Sequence, residues 1–263
     1  MMPGLVNMMG KIKPPPKIVT WAGNAFDINL RDTFNAWYPG GMVPFDTILF
    51  VINPGVYIGA SSTGAWAAQL GGWGDMPVGA TLNMIIQGRI QGHGGKGGGY
   101  QGDGEGGGPA FYVDRQINLV TNGAQIFAGG GGGGRSIWAY NGQLAEAGGG
   151  GCGYNPGAAG DQPGYDPSSP WWHPALDGTT ESGGTGFRAD NNPRIGGGDG
   201  GGPGAAGGSA FGDNAGYEYY FPGGPTNWAI HGMGNCSFGN WDYTKQEFVY
   251  TGAHNADLRG NFA

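Results

Sequence analysis

The residue types that usually carry catalysis or bind metals occur in this chain without the spacing that such sites need. Gly92-x-Gly94-x-x-Gly97 matches a dinucleotide-binding fingerprint, but glycine-rich sequence produces this pattern by chance, and no strand–helix–strand context follows it. The four histidines have no metal-ligand spacing, and Asp103 and Glu105 are two acids of the kind that usually lie on a solvated turn. We therefore expect no catalytic site, no metal site and no cofactor.

The two cysteines, Cys152 and Cys236, are too few for a disulfide-rich scaffold. They could form one bridge. Two separate thiols, in a protein made in a reducing cytosol, are the favoured interpretation.

Aromatic clusters give a better functional signal, because Trp and Tyr bury a large area with few rotatable bonds and dominate binding hot spots. Alternatively, these rings could be small cores that cover a scaffold. The clusters are Ile137, Trp138 and Tyr140, then Trp171, Trp172 and His173, then Tyr217, Tyr219, Tyr220 and Phe221.

Glycine divides the chain into three segments. Of the 62 glycines, 12 lie in residues 1–87, 41 in residues 88–208 and 9 in residues 209–263. The net charge of −7 argues against a general affinity for nucleic acid. No apolar run approaches the roughly 18 residues of a membrane span, so we expect no membrane insertion.

The first segment carries a dense set of large apolar side chains that could form a core or cover a partner. They are Trp21, Phe26, Phe34, Trp37, Tyr38 and Phe45.

A strand–turn unit recurs along the chain. Residues 48–59, 82–92 and 117–129 each contain an apolar strand, a turn glycine and a second apolar stretch, and residues 228–232 look like a weaker fourth copy. Such spacings suggest a repeated structural unit, although three unrelated turns could also align. No segment has a convincing helical period, so we expect almost no α-helix.

The glycine tracts can be disordered, or they can be packed so closely that only hydrogen fits between them. Polyproline-II-type helices have three residues per turn and no internal hydrogen bonds, so their amides need lateral partners. If every third residue is assigned to one column, residues 92–99 carry glycine in two of the three columns, and His93 and Lys96 lie in the third. Further along the chain, Gly198, Gly201, Gly204 and Gly207 form an unbroken column. The aromatic segments between the tracts favour ordered rods joined by loops.

These residues resemble the distal long tail fibre adhesins of T-even-like bacteriophages, of the Salmonella-phage type. The resemblance rests on residues 82–99, 117–134, 147–153 and 195–208. It implies an irregular, mostly β fold. A β-rich attachment domain (1–87) would precede a sandwich of stacked polyglycine II helices (88–208) and a C-terminal segment (209–263) that packs back on either of them.

The resemblance also implies a non-enzymatic virion protein that caps a trimeric long tail fibre and binds a porin-like outer-membrane protein of the host through aromatic loops, which would determine host range. The six large apolar residues of the first segment would attach to the fibre, and the three strand–turn units could supply a pseudo-three-fold match to it. If the rods alternate in direction, Tyr100 shares the far end with Trp138. The predicted receptor-binding residues are Tyr100, Ile137, Trp138, Tyr140, Trp171, Trp172, His173, Tyr217, Tyr219 and Tyr220.

Three other functions are compatible with a glycine-rich chain. A polyglycine II antifreeze protein would have little need for nine tryptophans. A glycine-rich structural protein would be more uniformly repetitive. A tail-fibre assembly chaperone would be missing from the finished particle.

Overall fold

The computed structural model describes residues 14–99, 102–138, 144–162, 172–189, 196–211, 218–252 and 256–262. In chain order the elements are β1 (Lys17–Trp21), β2 (Ala25–Phe26), β3 (Ile28–Asn29), α1 (Leu30–Trp37), β4 (Thr47–Ile52), β5 (Tyr57–Gly59), β6 (Ala68–Gln69), β7 (Thr81–Ile86), β8 (Arg89–Gln91), β9 (Phe111–Tyr112), β10 (Ile117–Val120), β11 (Gln125–Phe127), β12 (Ser136–Trp138), β13 (Leu144–Glu146), β14 (Trp172–His173), β15 (Arg188–Ala189), β16 (Glu218–Tyr220), β17 (Trp228–His231), a 3₁₀ turn (Met233–Asn235), β18 (Cys236–Asp242), β19 (Glu247–Tyr250), β20 (Asp257–Arg259) and β21 (Asn261–Phe262). The expected mostly β fold with almost no α-helix is confirmed.

Three sheets of parallel strands form a three-faced β-solenoid of five rungs. The first face has the order β1-β4-β7-β10-β18, with β19 added antiparallel at its edge; the second is β2-β5-β8-β11-β20, and the third is β3-β6-β9-β17-β21. Each rung contributes one strand to every face. Strands from all three predicted segments share these faces, and the proposed division at residues 87 and 208 stays a prediction.

The three strand–turn units are neighbouring rungs of this solenoid, so the predicted repeat is confirmed. Thr47 of β4 pairs with Thr81 of β7, and Asn83 of β7 pairs with Asn118 of β10. The units are related by a shift along the solenoid axis, so the predicted pseudo-three-fold relation among them is wrong. The fourth copy is also wrong, because β17 lies in the third face, whereas β18 continues the first.

Alternation along the strands fills the solenoid interior. In β4, Ile48, Phe50 and Ile52 are fully buried and point into the main core, while Leu49 belongs to a separate apolar cluster on the outer side of the same face. Fully burying such side chains stabilises the fold by about 1.5–3 kcal/mol each.

Residues 30–46 cover the end of the solenoid at the first rung. Helix α1 starts at the N-cap Asn29, whose side chain accepts a hydrogen bond from the amide of Asp32, and it buries Leu30 and Phe34. The Tyr38 hydroxyl then bonds both the amide and the carbonyl of Ile18 on the outer edge of β1, at 2.8 and 3.0 Å. An edge strand capped in this way has fewer free backbone groups for unwanted pairing.

An ion pair holds this covering segment in place. The Lys17 ammonium lies 2.7 Å from the carboxylate of Asp46, which is only 2% exposed, and 2.5 Å from the carbonyl oxygen of Gly41. The same carboxylate accepts the amide of Val43 at 2.7 Å. Both charges of the pair therefore have further hydrogen-bond partners, which a buried ion pair needs.

The glycine tracts leave the solenoid between the second and third faces and form bonded rods. The central rod, residues 129–134, donates its six amides in turn to three neighbouring rods at 2.7–3.0 Å. Amides 129 and 132 reach residues 105–108, amides 130 and 133 reach 149–152, and amides 131 and 134 reach 205–208. A period of three in lateral bonding is the signature of polyglycine II packing, so the predicted sandwich is confirmed.

No side chain fits on the central rod. A Cβ built at any residue from 129 to 134 would lie far inside contact distance of a carbonyl oxygen of a neighbouring rod. Glycine is required here for close approach, since none of these residues has a positive φ.

The predicted glycine column from 198 to 207 is wrong in one respect. Gly198 and Gly201 do face the central rod, donating to the carbonyls of Gly134 and Gly131 at 2.9 and 2.7 Å. Gly204, however, has φ +67° in a turn, after which the chain runs back. The column therefore belongs to two adjacent rods.

The near ends of the rods are fixed to the second face. Arg89 of β8 lies between the rings of Tyr57 and Phe127, at 5.0 and 5.1 Å, and its guanidinium pairs with Glu181 at 2.5 Å. Gln91 donates to the carbonyl of Thr180 at 2.9 Å. These contacts attach the sandwich to the solenoid.

Candidate functional site

The far ends of the rods carry short strands built from the predicted receptor-binding clusters. The central rod runs directly into β12, which pairs antiparallel with β13 on one side and β16 on the other. Ile137 pairs with Tyr219, and Ser136 pairs with Tyr220. Two clusters that are about 80 residues apart in sequence therefore meet in one three-stranded sheet.

A buried arginine fixes the start of this sheet. Arg135 is 9% exposed, lies 4.1 Å from the ring centre of Phe221 and donates to the carbonyl of Gly99 at 2.8 Å. Tyr100, which follows Gly99 in the chain, lies outside the described residues. The contact joins Gly99 to the residue that precedes β12, and the shared location of Tyr100 and Trp138 stays a prediction.

The remaining aromatic cluster, which contains Trp172 and His173, contributes to a separate two-stranded sheet. Trp172 pairs with Ala189, and His173, which is exposed, pairs with Arg188. Arg188 is held by both carboxylate oxygens of Asp199 on a neighbouring rod, at 2.9 and 3.0 Å. Of the predicted receptor-binding residues, Tyr100, Tyr140, Trp171 and Tyr217 fall outside the described part of the chain.

The six predicted attachment residues of the first segment differ in how far their side chains are exposed. Trp37 and Phe45 are 56% and 48% exposed. Trp21 and Tyr38 are half-buried; Trp21 packs on Phe50, and Tyr38 stacks on Phe34 at 5.3 Å.

Two of the six residues need correction. Phe34 is fully buried, because it follows Leu30 by one helical turn on the inner side of α1, so it is a core residue that no partner can touch. Phe26 is 48% exposed but packs edge-on against Tyr154 at 4.9 Å, on the side that faces the glycine sandwich.

Val43 and Val78 are exposed apolar residues that sequence reasoning missed. They are 51% and 81% exposed, and the carbonyl of Val78 accepts the amide of Phe45 at 3.1 Å. Single valines in loops give no recognisable signal. We call Trp37, Val43, Phe45 and Val78 the end patch.

Phe45 also has an unusual backbone. Its φ of +67° lies in the left-handed region that a bulky side chain rarely adopts. Such strain persists only where the surroundings enforce it, and it is commoner at functional positions. At Phe45 this backbone conformation is combined with a half-exposed aromatic ring, which is suited to a contact surface.

Both cysteines are thiols, as favoured from the sequence. Burial raises the pKa of Cys152 to about 12, with the charge of Glu181 adding to the shift, and burial raises the pKa of Cys236 to about 12 as well. Thiolates are the reactive form, so these thiols are unreactive near neutral pH.

We expect neither thiol of the native protein to be alkylated by iodoacetamide at pH 8, and both to be alkylated in denaturant. Because the folded pKa values are raised, the thiols' contribution to stability is complete below about pH 9 and is lost as the pH rises toward 12. Rapid native labelling measured by mass spectrometry would contradict the raised pKa values of these thiols.

Within the described ranges, no group of three or more His, Cys, Asp or Glu side chains is placed to hold a metal ion. The same residues include no helix that is long and apolar enough to cross a bilayer.

Comparison with known proteins agrees with the fold. The family model described as phage tail fibre adhesin Gp38 matches residues 16–248. The fold is similar to the crystal structure of the gp37–gp38 adhesin tip complex of the bacteriophage S16 long tail fibre, with a TM-score of 0.58 and 19% identity over 94% of this chain and 82% of that chain. No curated protein sequence matches the chain significantly. The chain belongs to the phage tail fibre adhesin Gp38 family.

Proposed function

We propose that this protein is the tip adhesin of a long tail fibre, that it caps a trimeric fibre protein, and that it binds a porin-like outer-membrane protein of the host. Family membership implies a virion protein and association with a tail fibre. The exposed apolar side chains at the first rung and the position of the aromatic strands support the finer proposal.

The observation that carries the proposal is the separation of two candidate contact surfaces by rigid rods. Four of the twelve exposed large apolar residues in the described chain, Ile18, Trp37, Val43 and Phe45, lie at the first rung of the solenoid and away from the sandwich. The aromatic strands β12, β14 and β16 lie at the far ends of the rods. One end can therefore dock on the fibre while the other meets the cell.

Binding at the far end would need little ordering of the protein. The rods hold β12 and β16 through buried backbone hydrogen bonds, so a receptor would meet strands that are already positioned, and less conformational entropy is lost. Loop sequences there could vary without changing the glycine scaffold, which would let host range change.

We expect Trp138→Ala to weaken binding of the isolated protein to host cells by about 2 kcal/mol without lowering its thermal stability. Adsorption of the labelled protein to cells measures the first effect, and thermal unfolding measures the second. Trp37→Ala, at the other end, is the matched control and should bind cells normally. Unchanged cell binding by Trp138→Ala would remove β12 from the proposed receptor surface.

A chaperone role predicts a different location. If the chain only assisted fibre assembly, a protein inventory of purified particles would lack it. As a tip adhesin it should be present in finished virions.

A further inference from the structure

An arginine and a phenylalanine meet at the far ends of two rods. Arg188 follows a rod whose near end is fixed to the solenoid through Glu181. Phe211 follows the rod that starts at the turn of Gly204, whose amide donates to the carbonyl of the residue after β11 at 2.9 Å. The guanidinium carbon of Arg188 lies 5.6 Å from the centre of the Phe211 ring. Both side chains are therefore held at the end of the sandwich that lies away from the solenoid.

Backbone pairing fixes the two residues relative to each other. Gly196 forms one bridge with Arg188 and a second bridge with Phe211. Gly196 and Phe211 exchange two backbone hydrogen bonds, at 3.0 and 3.1 Å. A Cβ at Gly196 would lie 2.6 Å from the Phe211 ring, so the ring lies directly over this glycine. Close packing on one side therefore sets the position of the ring.

A carboxylate holds the guanidinium beside the ring. Both oxygens of Asp199 accept hydrogen bonds from Nη2 of Arg188, at 2.9 and 3.0 Å, and one of them also accepts the amide of Gly186 at 2.9 Å. The two charged side chains are 47% and 51% exposed, and an ion pair of this kind adds little to stability. Its main effect is to restrict the arginine side chain, so that less conformational entropy is lost when a partner binds.

The solenoid contains a completed version of the same arrangement. Arg89 also pairs with a carboxylate, but it contacts two rings, those of Tyr57 and Phe127, at 5.0 and 5.1 Å, and its side chain is only 7% exposed. Among the described residues, Arg188 contacts one ring, that of Phe211, and about half of its side chain is open to solvent. The exposed side of Arg188 therefore has room for a second ring.

The other guanidinium–ring contacts do not offer the same surface. Arg259 lies 4.8 Å from the ring of Phe127, but that ring is only 1% exposed. The Phe211 ring is 37% exposed next to its guanidinium. In the described part of the chain, Arg188 and Phe211 are the pair in which both the guanidinium and the ring are open to a partner.

A guanidinium is planar and weakly hydrated, and it stacks on aromatic faces while its N–H groups stay free at the edge. The attraction between a cation and a ring also grows when water is removed from the contact. We propose that Arg188 and Phe211 together bind an aromatic side chain in an extracellular loop of the receptor protein. The charge of Arg188 is already balanced by Asp199, which disfavours a carboxylate as the partner. This contact rests on the receptor-binding role proposed above for the far ends.

The test measures the affinity of the labelled full-length protein for host cells. Arg188→Lys keeps the charge but loses the planar surface, and we expect it to weaken binding about fivefold. Phe211→Ala should weaken binding about tenfold, because the exposed ring is lost. The affinity of the unchanged protein should vary by less than about twofold between about 0.1 M and about 1 M salt, since no net charge is paired across the contact.

Arg259→Lys is the matched control. Arg259 also lies on a ring and pairs with a carboxylate, that of Asp257, at 2.8 Å, but it belongs to the second face of the solenoid. This variant should bind cells like the unchanged protein. Thermal unfolding shows whether each variant is folded. Phe211→Leu keeps an apolar cover over Gly196 and should weaken binding as well, so it replaces Phe211→Ala if that variant unfolds.

Full affinity of Arg188→Lys, or of the folded Phe211 variant, would overturn the proposal. So would an affinity that falls steeply with salt, which is the result expected for a carboxylate partner. If one of these results is found while Trp138→Ala still weakens binding, the receptor-binding role of the far ends stands and this contact alone is wrong. If the unchanged protein does not bind host cells, both proposals fail.

Discussion

Gly132→Ala is expected to lower the free energy of unfolding by about 3 kcal/mol, at the upper end of the usual range for overpacking. The new methyl group would meet the carbonyl of Lys96, and that carbonyl cannot move freely because it accepts the amide of Glu105 at 2.8 Å. Moving the Lys96 carbonyl away from the new methyl group would therefore break its hydrogen bond to the amide of Glu105. Chemical denaturation measures the effect.

Gly202→Ala is the matched control for this substitution. Gly202 lies at the end of a rod, its φ is not positive, and a Cβ there would have no heavy atom within 4 Å. Alanine also restricts the unfolded chain more than glycine does, so stability should be unchanged or slightly raised. Equal losses for Gly132→Ala and Gly202→Ala would contradict close packing as the reason for glycine.

Trp37→Ala is expected to weaken binding to the fibre tip by about 2 kcal/mol, roughly thirty-fold, while changing stability by less than about 0.5 kcal/mol. Trp37 is the largest side chain of the end patch, and 56% of it is exposed in the free protein. Calorimetric titration with the purified fibre tip gives the affinity. Unchanged affinity would mean that the fibre docks elsewhere.

Phe34→Ala provides the contrast on the same helix. Because Phe34 is fully buried beside Trp73, its truncation should lower the free energy of unfolding by about 3–5 kcal/mol. If fibre binding is measured at a temperature where this variant is folded, its affinity should be close to that of the unchanged protein. A specific loss of affinity would place Phe34 in the interface after all.

The rods could be predicted because polyglycine II packing leaves a direct pattern in the sequence. Gly95 and Gly98 face the central rod, and Gly94 and Gly97 face another neighbour, while His93 and Lys96 occupy the remaining column as expected. The strand–turn units could also be predicted, because each contains a long apolar strand. These strands, β4, β7 and β10, are neighbours in the first face.

The solenoid itself could not be predicted in the same way. Its second and third faces use strands as short as two residues, such as Ala25–Phe26, which have no detectable period. Its rungs are interrupted by the glycine rods, so that β11 and β17 belong to one rung although 100 residues separate them. Phe34 was misjudged for a related reason, since two buried positions in an eight-residue helix are too few to mark an inner side.

Glycine also acts at the solenoid turns for two different physical reasons. Gly55 and Gly123 have φ +76°, whereas Gly88 has no positive φ and is needed because a Cβ would meet the carbonyls of Val56 and Asn53. The sequence shows the same residue at each turn and cannot separate these causes.

The proposed function depends on rods that are rigid enough to hold the far-end strands, and amide hydrogen exchange of residues 129–134 tests this most directly. All six amides are buried and donate hydrogen bonds to neighbouring rods, so they should exchange orders of magnitude more slowly in the native protein than in the denatured protein. Exchange near the rate of an unstructured chain at these six glycines would contradict the rod sandwich and remove the platform on which receptor recognition depends.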